Sequence, residues 1–256
     1  MTPGVVAPVD VSQLGSFPRY AIGVLSPIAG ADTMPHGFYR LLGPDFIVLS
    51  ASLALASFKP EDLDRAVAAI DDKLGHLLSR GANLIIQSGT PLAISLGPEG
   101  HARLIERLRQ RAGVPVISSA RNAVDAARAL GVKRLVVANK WNERINRQLA
   151  DFFAHWDVEV VAGAAESQEP AHFQSADLRQ GAELAYGLGR AALENAAGAD
   201  ALFIGGGAWM VEPAAHRLEQ EFGKPVICNQ AAMIRDVLHL LGDWKPIPGH
   251  SRVLAA

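Results

Sequence analysis

From about residue 20 onward, short apolar runs bounded by Gly, Pro or Ser alternate with longer stretches in which apolar residues recur at helical spacing. This alternation is the signature of an α/β protein whose strands are mostly parallel. The short runs predict strands at Tyr20–Leu25, Phe46–Ser50, Asn83–Gln87, Val116–Ser118, Arg134–Ala138, Glu159–Ala162, Ala201–Ile204 and Pro225–Cys228. The longer stretches predict helices at Pro60–Arg80, Gly100–Ala112, Ala120–Leu130, Glu143–His155, Ala176–Ala197, Ala214–Phe222 and Ala231–Leu241. In the first of these, Pro-Glu-Asp places acids at the positive end of the helix and Gly81 follows its stop at Arg80. Before the regular pattern, residues 1–19 carry Pro3, Pro8, Gly15 and Pro18 without periodicity and read as a loosely docked arm.

The pattern repeats. Gly81-Ala-Asn-Leu-Ile-Ile-Gln-Ser-Gly-Thr90 is echoed by Gly198-Ala-Asp-Ala-Leu-Phe-Ile-Gly-Gly-Gly207, and Gly113-Val-Pro-Val-Ile-Ser-Ser119 by Gly223-Lys-Pro-Val-Ile-Cys-Asn229. Two matched segments in the same order predict two pseudosymmetric lobes, each a mostly parallel sheet flanked by helices. The expected division is 20–120 together with 230–256 for the first lobe and 121–229 for the second. In parallel sheets, ligands bind beyond the carboxyl ends of the strands, so facing lobes would bring both small-residue loops to one cleft.

Composition narrows the function. The 256 residues are 49% hydrophobic and 20% charged, within the range of ordinary folded domains. Lys and Arg number 24 against 26 Asp and Glu, and aromatic residues make up 6%, which argues against a nucleic-acid partner. The one cysteine, Cys228, allows neither an intramolecular disulfide nor a Cys-rich zinc site. No two of the eight histidines stand at the i, i+4 spacing of a helical metal face, and neither Gly-X-Gly-X-X-Gly nor a Walker lysine motif occurs. No metal or cofactor is expected. The first basic residue is Arg19 and the apolar runs are too short to span a bilayer, so the expectation is a cytoplasmic protein with no membrane partner.

The loops after the strands hold the candidate chemistry. Ser88-Gly-Thr-Pro91 combines a glycine that allows close backbone approach with two hydroxyl donors, a set suited to a carboxylate, or else to a plain strand-to-helix connection. Gly205-Gly-Gly207 is its counterpart, with backbone amides as an anion nest. Lys140, in Asn139-Lys-Trp-Asn142, is a candidate cation, and His36, in a glycine- and proline-punctuated loop, is the best placed histidine. Cys228 ends a buried strand and reads as an inert thiol.

Taken together, these segments resemble the aspartate/glutamate racemase superfamily and, within it, the branch of arylmalonate decarboxylase and maleate isomerase. The resemblance runs from about Ala21 to Arg252 and rests on Gly23-Val-Leu-Ser-Pro-Ile28, Gln87-Ser-Gly-Thr90, Gly113–Ser119, Leu130–Val137, Trp141–Leu149, Ala201–Gly207 and Gly223–Ile227. It implies two α/β lobes with the active site between them, and catalytic thiols on the two central loops. Here the first thiol position matches Gly89 and the second Gly205, while the tyrosine expected early in the second lobe is Trp141. Thr90 agrees with the anion-binding threonine of the branch.

The expected activity is therefore that of a lyase or isomerase acting on a small carboxylate or related carbonyl compound, without cysteine. Ser88, Lys140 and His36 are the candidates for proton transfer or attack; Gly89, Thr90, Trp141, Gly205 and Gly206 are the candidates for binding. A hydrolase using Ser88 and a non-catalytic anion-binding protein are the alternatives, and the sequence leaves homo-oligomerisation open.

Overall fold

The computed structural model describes residues 17–30, 32–175, 177–196 and 198–255, so nearly all of the expected N-terminal arm lies outside the described residues. The strands are β1 (Tyr20–Ser26), β2 (Phe46–Ser52), β3 (Leu84–Gln87), β4 (Val116–Ser118), β5 (Arg134–Asn139), β6 (Glu159–Ala165), β7 (Ala201–Ile204) and β8 (Val226–Cys228). They form two four-stranded sheets of the same order, β2-β1-β3-β4 and β6-β5-β7-β8. Every pairing is parallel.

Helices lie between the strands: α1 (Met34–Leu42), α2 (Pro60–Ser79), α3 (Thr90–Ser95), α4 (Gly97–Ala112), α5 (Ser119–Ala129), α6 (Glu143–Ala154), α7 (Pro170–Ser175), α8 (Leu178–Glu194), α9 (Val211–Phe222) and α10 (Asn229–Leu241). The central strands β3 and β7 are buried along their whole length, as expected where helices cover both faces of a parallel sheet. The repeated Gly-X-Pro-Val-Ile segment now has a physical basis. Gly113 and Gly223 close α4 and α9 at φ 64° and 67°, the left-handed conformation glycine adopts without strain, and each chain then turns directly into β4 or β8.

Three short helices depart from the expected pattern. Residues 34–42 look like a punctuated loop, yet they form α1, because Pro35 occupies the first helical turn, where a missing N–H costs nothing. Pro91 does the same for α3, so the expected loop at Ser88–Pro91 is a helix start. α7 opens on Pro170. Among the described residues no helix is long and apolar enough to cross a membrane.

The sheets are joined through α5 and α10, the helices that follow β4 and β8 and pack on each other, and through α6 packing on α3. Thr33 Oγ donates to the Gly207 carbonyl at 3.0 Å, fastening the segment after β1 to the loop after β7.

Candidate active site

The carboxyl ends of β1, β3 and β5 open into a cavity whose lining includes Ser26, Ser88 and Lys140. Three helices begin on its wall, with Thr90, Ser119 and Asn229 as the first residues of α3, α5 and α10. The partial positive charge at helix N-termini makes such a wall favourable to an anion. Apolar side chains also line the cavity, among them Ile28, Leu55, Phe58 and Met233.

The first loop is held from behind. Buried Gln87 donates through Nε2 to the Ser88 carbonyl at 2.7 Å and accepts from Ser118 Oγ at 3.0 Å, and Ser118 Oγ lies 2.8 Å from His101 Nε2. Burial, with a smaller contribution from Arg121, lowers the His101 pKa to about 4, so the ring works as a neutral donor in this network. Gly89 has φ +96°, which positions Ser88 and Thr90 on the cavity wall. Asn229 Nδ2 donates to Thr90 Oγ at 3.1 Å and to the Ser119 carbonyl at 3.1 Å. With its oxygen already accepting, the Thr90 hydroxyl keeps its own proton for another partner. Ser119 Oγ, buried at the same wall, has no hydrogen-bond partner among the described residues.

The second loop does not do what its three glycines suggest. The Gly205 N–H donates to the Ala138 carbonyl at 2.9 Å, and the Gly206 N–H donates to Asn229 Oδ1 at 2.9 Å. Both amides proposed as anion donors are therefore occupied within the protein, and Gly205 does not line the cavity. Its neighbour on that side is Trp141: a Cβ on Gly205 would stand 2.6 Å from Trp141 Cη2. A Cβ on Gly89 would stand 2.9 Å from Pro27. Gly89 and Gly205 are both closed to a side chain as the structure stands.

Lys140 is 3% exposed and lines the cavity. Asn139 Oδ1 accepts the Trp141 N–H at 2.8 Å, and Asn142 caps α6 by accepting from the Ile145 N–H at 3.0 Å, so the turn that carries Lys140 is fixed at both ends. Its Nζ stands 4.3 Å from the centre of the Trp209 ring, and Trp209 Nε1 in turn donates to the Gly206 carbonyl at 3.2 Å. Burial lowers the amine from its ordinary 10.5 to about 7.

Ser88, Gly89, Thr90, Lys140, Trp141 and Gly206 thus converge on one cavity, and His36 does not join them. It is exposed on α1 beside a smaller cavity shared with Arg40 and Glu212, because Pro35 turned the expected loop into a helix that carries it away. Cys228 is buried behind the wall, and burial pushes its thiol up to about 12. Ser88 Oγ has no basic partner among the described residues. Asn229, Ser119, Ser26, Asp32 and Trp209 are not among the candidate site residues read from the sequence. Ser119 and Asn229 are the last residues of the repeated Gly-X-Pro-Val-Ile segments, so the repeat itself held the signal for two of them.

Residues 22–254 match the family model described as arylmalonate decarboxylase. The chain is 27% identical over 237 residues to the arylmalonate decarboxylase of Bordetella bronchiseptica, covering 91% of this chain and 95% of that protein. A liganded variant of arylmalonate decarboxylase superposes with a TM-score of 0.81 at 26% identity, covering 91% of this chain and 98% of the other. The maleate cis-trans isomerase of Nocardia farcinica, solved with a covalently bound succinylcysteine intermediate, shares the fold with a TM-score of 0.80 at 20% identity, covering 93% and 98%.

Proposed function

As the chain belongs to the arylmalonate decarboxylase family, we propose that it is a decarboxylase- or isomerase-like enzyme that acts on a small carboxylate in this cavity by a route without cysteine. The two sheets are read as two lobes, 20–120 with 230–256 and 121–229, that enclose the site. Thr90 Oγ and the first-turn amides at Gly89 and Thr90, which have no carbonyl partner within α3, hold the carboxylate. Lys140 takes the proton-transfer role that a thiol fills in relatives.

In a decarboxylation, the bond between the substrate carbon and the departing carboxylate breaks and CO2 leaves. The electron pair stays as an enediolate on the retained carboxylate, where the donors of the first loop stabilise it. The Lys140 ammonium then passes a proton to carbon. A group poised near neutral pH is suited to that step, and the amine at about 7 meets the condition. The observation that carries the reading is Lys140, buried on the same wall where α3, α5 and α10 begin.

The test is turnover of a panel of substituted malonates, maleate, amino acids and lactones, followed by mass spectrometry on the wild type and Lys140→Met. The wild type should consume at least one carboxylate that Lys140→Met binds but does not convert. Binding without turnover across the panel would make the protein a non-catalytic anion binder.

A further inference from the structure

The two halves of the chain correspond residue by residue through their sheets. Gln87 pairs with Ser118 across β3 and β4, and Ile204 pairs with Cys228 across β7 and β8. One residue further on, Ser119 therefore corresponds to Asn229, each the first residue of the helix that follows, α5 or α10. Two residues beyond the paired positions of β3 and β7 stand Gly89 and Gly206, at φ +96° and +107°. In the second half this arrangement closes on itself, because the Gly206 N–H donates to Asn229 Oδ1 at 2.9 Å. In the first half it stays open. A serine is too short to carry an acceptor to the place of an asparagine carbonyl, and among the described residues neither the Gly89 N–H nor Ser119 Oγ has a partner. Ser119 is 2% exposed, and its Oγ is the one unpartnered buried side-chain atom, among the described residues, whose residue lines this cavity. Buried hydroxyls are normally paired, so this one calls for a partner. Asn229 Nδ2 donates at 3.1 Å both to Thr90 Oγ and to the Ser119 carbonyl, which holds Thr90 and Ser119 on either side of one amide.

We propose that Ser119 is a further substrate-binding residue. One carboxylate oxygen of the ligand takes in the first half the place that Asn229 Oδ1 takes in the second, accepting from the Gly89 N–H and from the Ser119 hydroxyl, while the other oxygen accepts from Thr90 Oγ. The inference rests on the reading of Ser88–Thr90 as the carboxylate site and adds to it a donor from a different helix. Asn229 is then the protein's own copy of the contact: a side-chain carbonyl oxygen fills in one half the position that a substrate oxygen fills in the other.

Dissociation constants of malonate, phenylmalonate, maleate and phenylacetate are measured by calorimetry on the wild type, Ser119→Ala, Ser119→Asn and Thr90→Val, together with the unliganded Tm of each. For the ligand that the wild type binds most tightly, Ser119→Ala should weaken binding roughly ten- to a hundred-fold, the effect of one lost hydrogen bond to a charged group. Its unliganded Tm should not fall, because the hydroxyl it removes has no partner within the protein. Ser119→Asn supplies the first half with the carbonyl of the second, occupies the Gly89 N–H and should weaken binding further than Ser119→Ala. A loss below about fivefold in Ser119→Ala overturns the assignment. So does a marked drop in its unliganded Tm, which would make the hydroxyl a brace of the fold, or tighter binding by Ser119→Asn than by Ser119→Ala. If Thr90→Val loses affinity and Ser119→Ala does not, the carboxylate site stands and Ser119 is removed from it. If Ser119→Ala loses affinity and Thr90→Val does not, the reading of Thr90 fails and the Gly89–Ser119 pair holds the carboxylate without it. Absence of wild-type binding for all four ligands overturns both.

Discussion

The loops after β3 and β7 leave their sheets at the same rung: the Ser88 N–H donates to the Leu25 carbonyl at 3.1 Å, and the Gly205 N–H to the Ala138 carbonyl at 2.9 Å. Beyond that rung both chains pass through a glycine with φ near +100°, Gly89 at +96° and Gly206 at +107°. The first loop then turns hydroxyls into the cavity, whereas the second has its amides taken by Ala138 and Asn229 and an indole where a side chain would go. A duplicated backbone thus supplied one donor surface and one packing surface. The hydrogen-bond rung pairs Gly205 with Ser88, and the left-handed glycine that follows it is Gly89 in one half and Gly206 in the other.

The comparison would break most visibly at Lys140, which adds to the second half the charge its loop lacks. Lys140→Met should lower kcat by about 10²–10⁴, the usual worth of a positioned acid, and wild-type activity should fall as pH rises through about 7. Stability carries an independent sign. The folded amine sits at about 7 against 10.5 for an ordinary lysine, so between these values the unfolded chain holds the extra proton and stability rises with pH. The burial cost is complete below about pH 7, and Lys140→Met should therefore raise Tm relative to the wild type more at pH 6 than at pH 9. An equal difference at both values would show that the amine is not depressed.

Thr90 tests the donor surface. Thr90→Val keeps the shape and removes the hydroxyl, and a lost charge-assisted hydrogen bond of about 1.5–3 kcal/mol should weaken carboxylate binding roughly ten- to a hundred-fold. Affinity within twofold of the wild type, measured by calorimetry, would remove the first loop from the site.

Packing in the second loop gives a smaller effect on a different quantity. The Cβ of Gly205→Ala would meet the Trp141 ring at 2.6 Å, an overpacking that should cost about 1–3 kcal/mol in denaturant unfolding. In a Trp141→Phe background that cost should shrink; a cost that stays the same would mean that the indole does not close this position. Cys228→Ser should change activity least, within a few-fold, because the buried thiol is pushed up to about 12 and stands behind the wall. A hundred-fold loss in a folded variant would return the thiol to the chemistry.

The strands, most helices and the duplication were legible in the order of residues, because apolar spacing, proline and glycine act over a few positions. β4 and β7 match their expected limits, Val116–Ser118 and Ala201–Ile204. The same local reasoning took Pro35 and Pro91 for loop markers, since proline at a helix start and proline in a loop look alike without the turn that follows.

The site itself was decided by the path of the chain. Asn229 meets Thr90 across 139 residues and Gly206 across 23, and those bonds determine which amides stay available and where the threonine proton points. Lys140 was visible as a cation after a strand, but its burial against Trp209 was not, and burial moves its pKa to about 7. Periodicity and caps are written into neighbouring residues, while hydrogen-bond partners and desolvation belong to residues that only folding brings together.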